Sequence, residues 1–444
     1  MILGEKNTFG DVVFVSTKKI VINKSLNLRG NVKVAGAKNS TLAILAAIVC
    51  VGEPCIIENV PDISDVSLMC GILSKLGVEI SMVGKNSIKV DPRNINLTRA
   101  NFDEMRHMRA SYYLLSALLS RFGEASVAMP GGCDFGLRPM DQHIKGFEAL
   151  GAECETVGGV TSVKCKHLKG GRVYLDVISV GATINTMIAA VRAEGTTVIE
   201  NAAKEPHVVD VANFLNTCGA DIHGAGIDVI TINGVKSLKG ATYQIIPDQI
   251  EAGTYMAASV AARGDILITN VIPKHLESIS AKLREVGGEI EYFEDSVRVS
   301  CSQKKLRRCN VKTMPYPGFP TDMQPQMVAL LSICDGTSMV TEGVWESRFR
   351  YISELRRMGA KVSVDGRMAV IEGVHELVGT NVKSVDLRAG AAVVIAGLIA
   401  EGTTCIENIN HIERGYEDIV GKLSNLGADI KTVTESPKEK VLTA

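Results

Sequence analysis

Residues 386–430 read "DLRAGAAVVIAGLIAEGTTCIENINHIERGYEDIVGKLSNLGADI", and residues 179–222 read "SVGATINTMIAAVRAEGTTVIENAAKEPHVVDVANFLNTCGADI". The two stretches share one grammar. A short polar opener leads into an alanine-rich, nearly all-apolar segment. "EGTT" turns the chain into the strand-like "CIEN" or "VIEN", an amphipathic segment follows, and "LGADI" or "CGADI" stops it at a glycine. Glycine just past a helix supplies the left-handed backbone that closes the last turn, and short β-branched runs between turn residues read as strands.

The closing phrase recurs as "LGVEI", "LGAEC", "CGADI", "VGGEI", "MGAKV" and "LGADI", with first glycines Gly77, Gly151, Gly219, Gly287, Gly359 and Gly427. Their spacings of 74, 68, 68, 72 and 68 residues define one unit used six times. A helix that is apolar all round is buried on every side, whereas an amphipathic one is buried along a stripe. Alternating segments such as "SIKVD" and "VRVSC" read as half-exposed sheet. Each unit therefore predicts helices packed inward beneath a sheet. The expected fold is α/β, with the six units grouped as two globules of three.

Composition narrows the function classes. Hydrophobic residues make up 46% of the 444 and aromatics only 5%, so the core is built from Ala, Val, Ile and Leu. A formal net charge of -1 gives no global field for nucleic acid. The 11 cysteines include no CxxC pair, which argues against a disulfide framework or a zinc site and for thiols kept reduced in a cytosol. No signal-like segment opens the chain, and the longest apolar runs, such as "AAVVIAGLIA" (391–400), reach half of the roughly 20 residues a membrane span needs. A cytoplasmic protein without membrane insertion is expected.

The polar openers are "GAKN" (36–39), "MRAS" (108–111), "SVGAT" (179–183), "PDQIEAGT" (247–254), "FPTDMQ" (319–324) and "DLRAG" (386–390). Each precedes a buried helix, and helix N-termini attract anions through free N–H groups and the helix dipole. Six such ends turned to one cleft point to a phosphorylated substrate. No GxxxxGK[ST] loop, strand-turn GxGxxG, GxSxG elbow or HExxH helix is present, so the chemistry comes from dispersed residues.

Lys38 and Arg109 each sit at a helix start, where a cation is disfavoured unless an anion compensates it. The bland alternative is a surface lysine and a solvated basic face, which suits Arg106 better than Arg109. Asp322 is either an N-cap or a base facing the cleft. Arg414 either pairs with Glu413 or Glu417 or faces a ligand. Cys133, in the glycine-rich "MPGGCDFGLRPMDQH" (129–143), is either an idle loop thiol or one made reactive by Arg138.

Taken together and in order, "GAKN", "RAS", "PGGCDFGLRPMDQH", "SVGAT", "EGTTVIENAAKEPHVVD", "FPTDMQ", "DLRAG" and "HIERGYEDI" resemble the enolpyruvyl transferase family, and within it the members that act on UDP-N-acetylglucosamine. The resemblance runs from about residue 20 to about 435, so the first 19 or so residues read as an extra leader. It implies an inside-out α/β barrel of two domains, each of three βαβαββ repeats. One domain is 38–246, and the other is 1–37 plus 247–444, with the active site in the cleft between them. It implies transfer of the enolpyruvyl group of phosphoenolpyruvate to the sugar 3-hydroxyl with release of phosphate, by addition–elimination through a tetrahedral intermediate. Peptidoglycan synthesis begins with that step.

The same resemblance assigns roles. Lys38, Arg109, Arg138, Arg388 and Arg414 hold phosphate and carboxylate. Asp322 is the base or orients the hydroxyl. Cys133 is the proton donor and the thiol that fosfomycin alkylates. Asn39, Arg109, Pro139, Asp141, Ser179, Val180, Gly181, Asp322 and Val344 contact the UDP-sugar. No metal and no cofactor are implied, and the oligomeric state is left open. Val177, Gln249 and Trp345 depart from residues common in the family. The rivals are an enolpyruvyl transferase for another uridine nucleotide, 3-phosphoshikimate 1-carboxyvinyltransferase, and a catalytically silent relative. "PGGCDFG" and "RPMDQH" argue against the second of these.

Overall fold

The structure, a computed structural model, describes residues 17–100, 102–128 and 140–435. It divides into two compact units. The first comprises the described residues up to Val34, Gln249–Met314 and those from Phe319 onward. The second comprises Ala35–Asp248 with Pro315–Gly318.

In the second unit, three helices lie in the middle: Lys38–Val51, Tyr113–Phe122 and Val180–Ala190. Of Lys38–Val51, every residue but Asn39 is buried, as its Ala/Ile/Leu run requires. Ser64–Lys75, Asp141–Ala149 and Pro206–Thr217 are the amphipathic helices, each burying one stripe. The first unit repeats the plan. Gln249–Ala261, Gln324–Leu331 and Leu387–Ile399 form its buried trio, while Glu277–Val286, Ile352–Arg357 and Ile419–Asn425 are partly exposed.

Each unit carries three four-stranded sheets of one design. Cys55–Glu58, for example, runs parallel to the edge strand Thr242–Gln244 and antiparallel to Ser87–Asp91, which pairs in turn with Glu79–Gly84. Strands alternate exposed and buried residues, so one face covers the helices and the other is open to water.

The sixth repeat departs from the pattern. Its sheet takes Thr17–Asn23 where every other repeat uses its own second hairpin strand. Ile20 and Ile22 of that strand are fully buried, opposite Ile406 and Ile430. Burying each contributes about 1.5–3 kcal/mol. Thr17, Lys18 and Lys19 are therefore strand rather than leader, and Lys19 Nζ holds Glu407 Oε1 at 3.0 Å.

The repeat signature has a backbone cause. All six phrase-closing glycines have positive φ, from 87° to 120°. Asn59, Asn201, Asn270 and Asn408, at the ends of the strands before the amphipathic segments, sit at φ 55–58°. Asparagine tolerates this region through its short polar side chain. Three of them use the amide to tie the neighbouring edge segment: Asn59 donates to the Ile245 carbonyl, Asn201 to Leu175 and Asn270 to Val34, at 2.7–2.9 Å.

Candidate active site

In the second unit, "GAKN" is held by its backbone. Gly36 bridges Pro247, Ala37 N–H donates to the Ile246 carbonyl (2.7 Å), and Asp248 N–H donates to Ala35 (3.0 Å). A Cβ on Gly36 would lie 1.8 Å from the Asn59 carbonyl oxygen, so only glycine fits there. Lys38 opens its helix with a N–H donating to Asp248 Oδ2 (3.2 Å), and its Nζ lies 2.7 Å from Asp65 Oδ2. The lysine and Asp65 side chains are only 11% and 4% exposed. The anion that a cation at a helix start demands is thus supplied by the protein itself. Asn39 follows on the exposed side of the same turn.

Arg109 begins a 3-10 turn, Arg109–Tyr112, that feeds Tyr113–Phe122. Its charge reaches His143, whose imidazole is pushed down to about 4 by burial first and by Arg109 second, with Asp141 opposing. His143 Nδ1 lies 2.8 Å from Asn185 Nδ2, and the amide donates to this neutral ring. A Cβ on Gly181 would come within 2.8 Å of the same ring. Arg109, Asp141 and Gly181 are therefore gathered around His143, a residue the sequence reading quoted but gave no role. Ser179 caps Val180–Ala190, accepting from Ala182 N–H at 3.3 Å, so its hydroxyl is at the helix mouth. Gln142 donates to Asp141 and Asp176, at 2.9 and 3.1 Å, and fixes the start of Asp141–Ala149. Cys133, Arg138 and Pro139 lie outside the described residues.

In the first unit, Asp322 is not an N-cap. It sits in the 3-10 turn Thr321–Met323 and its carboxylate faces two guanidinium groups. Arg348 Nη2 donates to Oδ1 at 2.9 Å, and Arg388 donates to Oδ2 from Nε (3.2 Å) and Nη2 (3.1 Å). The arginine side chains are 3% and 5% exposed, and that of Asp322 is 30% exposed. Burial works to raise the carboxyl's pKa, but the charges of Arg388 and Arg348 outweigh it and hold the group well below the usual carboxylate range.

Arg388 is set by Asp386, which caps Leu387–Ile399 by accepting from Arg388 and Ala389 N–H groups (2.8 and 2.9 Å). Its guanidinium lies 5.5 Å over the Tyr416 ring, in cation–π range. Arg414 caps the end of the short helix Asn410–Glu413, and together with burial its charge lowers the pKa of His411. Val344 is placed by Glu342, a buried carboxylate that accepts from Val344 and Trp345 N–H groups and from the hydroxyls of Thr313 and Thr321. Glu342 thereby ties the Val344 loop to the Asp322 turn. Arg348 and Glu342 were missed because neither lies in an opener. Their only trace in sequence is a charge within the short stretch "TEGVWESRFRY". Among the described residues no group of three or more His, Cys, Asp or Glu is placed to hold a metal ion.

A family model described as EPSP synthase (3-phosphoshikimate 1-carboxyvinyltransferase) matches residues 22–423. The chain belongs to this enolpyruvyl transferase family. It is 54% identical to UDP-N-acetylglucosamine 1-carboxyvinyltransferase 3 of Caldanaerobacter subterraneus subsp. tengcongensis, over 94% of this chain and 100% of the relative. It is 55% identical to UDP-N-acetylglucosamine 1-carboxyvinyltransferase of Clostridium botulinum, over 93% and 99%. Among solved structures, the enolpyruvyl transferase NikO from Streptomyces tendae superposes with a TM-score of 0.85 at 27% identity, covering 95% of this chain and all of that one. The fold is that of the family, the two-domain inside-out α/β barrel with six pseudo-repeats.

Proposed function

We propose that this protein transfers the enolpyruvyl group of phosphoenolpyruvate to the 3-hydroxyl of UDP-N-acetylglucosamine, releasing phosphate, as the first committed step of peptidoglycan synthesis in the cytoplasm. The observation that carries this reading is the 54% identity over the whole length of a relative bearing that activity in its name. In the reaction a proton adds to the methylene carbon of phosphoenolpyruvate, and the sugar oxygen bonds to C2 as its own proton leaves. The tetrahedral adduct then loses a proton from the methyl carbon while the C2–O bond to phosphate breaks.

Lys38, Arg109, Arg138, Arg388 and Arg414 supply the cations that such an anionic adduct requires. Cys133 delivers the proton to carbon. Asn39, Pro139, Asp141, Ser179, Val180, Gly181 and Val344 hold the UDP-sugar. Asp322 meets the 3-hydroxyl. With both oxygens accepting from arginine it is a weak base, so its first task is to orient that hydroxyl. Its basicity rises when Arg388 is drawn to the substrate's anion, because one compensating charge is then shared.

A second reading is transfer to another uridine nucleotide. It is favoured by Gln249 at the first position of the buried helix Gln249–Ala261, where many members carry arginine. The test mixes the protein with phosphoenolpyruvate and, separately, UDP-N-acetylglucosamine, other uridine diphosphate sugars or shikimate 3-phosphate, and follows phosphate release. Release with shikimate 3-phosphate alone, or with none of them, refutes the main reading. A fosfomycin mass shift mapped to Cys133 tests the thiol separately.

A further inference from the structure

We infer that Asp65 is a positioning residue for the reaction, holding the Lys38 ammonium in place before phosphoenolpyruvate arrives. This rests on the functional reading above, in which Lys38 meets the substrate's anion. Asp65 lies in no opener and in none of the stretches that carry the family resemblance.

Three observations support the role. First, the pair is short and buried, with Nζ and Oδ2 2.7 Å apart. A surface ion pair contributes little, but breaking a buried one leaves an uncompensated charge. Second, Asp65 is itself well placed, in the first turn of Ser64–Lys75, where the helix dipole favours an anion and no side chain caps the end. Third, the lysine backbone is fixed independently by Asp248 and by the contacts of Gly36 and Ala37. The flexible four-carbon stem is the only part left to order. A lysine side chain loses much of its rotamer freedom when fixed. Asp65 imposes that loss on folding rather than on substrate binding or the transition state.

Pre-organisation of this kind acts on the chemical step. Asp65→Asn keeps the size and removes the charge, so the ammonium is held loosely while the net positive charge around it grows. The expected result is a kcat reduced by about tenfold or more, with the KM for phosphoenolpyruvate unchanged or lower. Asp65→Glu, which retains the carboxylate, is expected to recover most of that kcat. Phosphate release measured at saturating UDP-N-acetylglucosamine gives both constants, and calorimetric titration with phosphoenolpyruvate gives its Kd. A wild-type kcat in Asp65→Asn overturns the proposal and leaves the functional reading standing. So does a joint rise in KM and fall in kcat that Asp65→Glu fails to correct, which is the mark of a merely structural residue. Absence of phosphate release from the wild-type protein sinks the functional reading, and the proposal with it.

Discussion

Removing Arg348 tests the arrangement around Asp322 most directly. At about 3 Å and an effective dielectric constant near 20, each arginine–carboxylate contact is worth roughly 5 kcal/mol before desolvation is subtracted. Losing the last partner of a buried charge costs about 3–5 kcal/mol. Asp322 in Arg348→Gln keeps the two donors of Arg388, so a smaller loss of about 2 kcal/mol is expected at neutral pH. The pH dependence gives the reason away. A carboxyl held below its ordinary range stabilises the fold above its unfolded pKa of about 3.9, and that stability is lost as pH falls through the folded value. Wild type and Arg348→Gln are therefore expected to differ most near neutrality and to converge in acid. For a unit of this size the gap at pH 7 corresponds to a melting shift of roughly 4–8 °C. Calorimetric scans from neutral pH downward make the comparison, with the gap expected to narrow only well below that unfolded value. The same loss of about 2 kcal/mol from Arg348→Gln in an Asp322→Asn background would show that Arg348 stabilises by packing and not through the carboxylate.

Three further outcomes are expected. Lys38→Ala lowers kcat by about 10²–10³, the cost of one pre-organised donor, with an unchanged far-ultraviolet circular dichroism spectrum; full turnover would remove Lys38 from the site. Gly36→Ala forces a Cβ against the Asn59 carbonyl and is expected to lower the melting temperature and impair turnover together, whereas unaltered melting would mean the segment shifts freely. His143 has its folded pKa lowered to about 4, so the unfolded chain binds the extra proton between that value and about 6.5. Stability from the neutral ring is complete above that window and falls as the solution is acidified through it. His143→Gln, followed by thermal melts at about pH 7 and 5, is expected to flatten this dependence, and an equally steep fall in the variant would count against it.

The fold was legible because it is written six times. One glycine at the end of an amphipathic helix is a weak signal, but six at positive φ with near-constant spacing leave little freedom. The exception shows what repetition cannot reveal. Nothing in "TKKIVIN" says that it completes a sheet with residues some four hundred positions away. Its alternating isoleucines announce a half-buried strand but not the sheet it joins.

The site divides along the same line. Lys38, Ser179, Asp322 and Arg388 are readable because each stands where a polar opener meets an apolar helix, a position that local sequence defines. Asp65, Arg348, Glu342 and His143 are not readable that way. Each is a charged or titratable group buried far from its partner in sequence: 27 residues for Lys38 and Asp65, 26 for Asp322 and Arg348. Burial makes such groups consequential, since an uncompensated charge there costs several kcal/mol. Yet on the chain each looks like an ordinary surface residue. Charge complementarity narrows the gap. Lys38 at the positive end of a helix demanded an anion, and the carboxylate paired with its ammonium, Asp65, comes from the start of another helix, while Asp248 in the chain's return segment accepts the lysine's backbone N–H. A cation whose local electrostatics are unfavourable therefore marks two positions, its own and that of a partner still to be found.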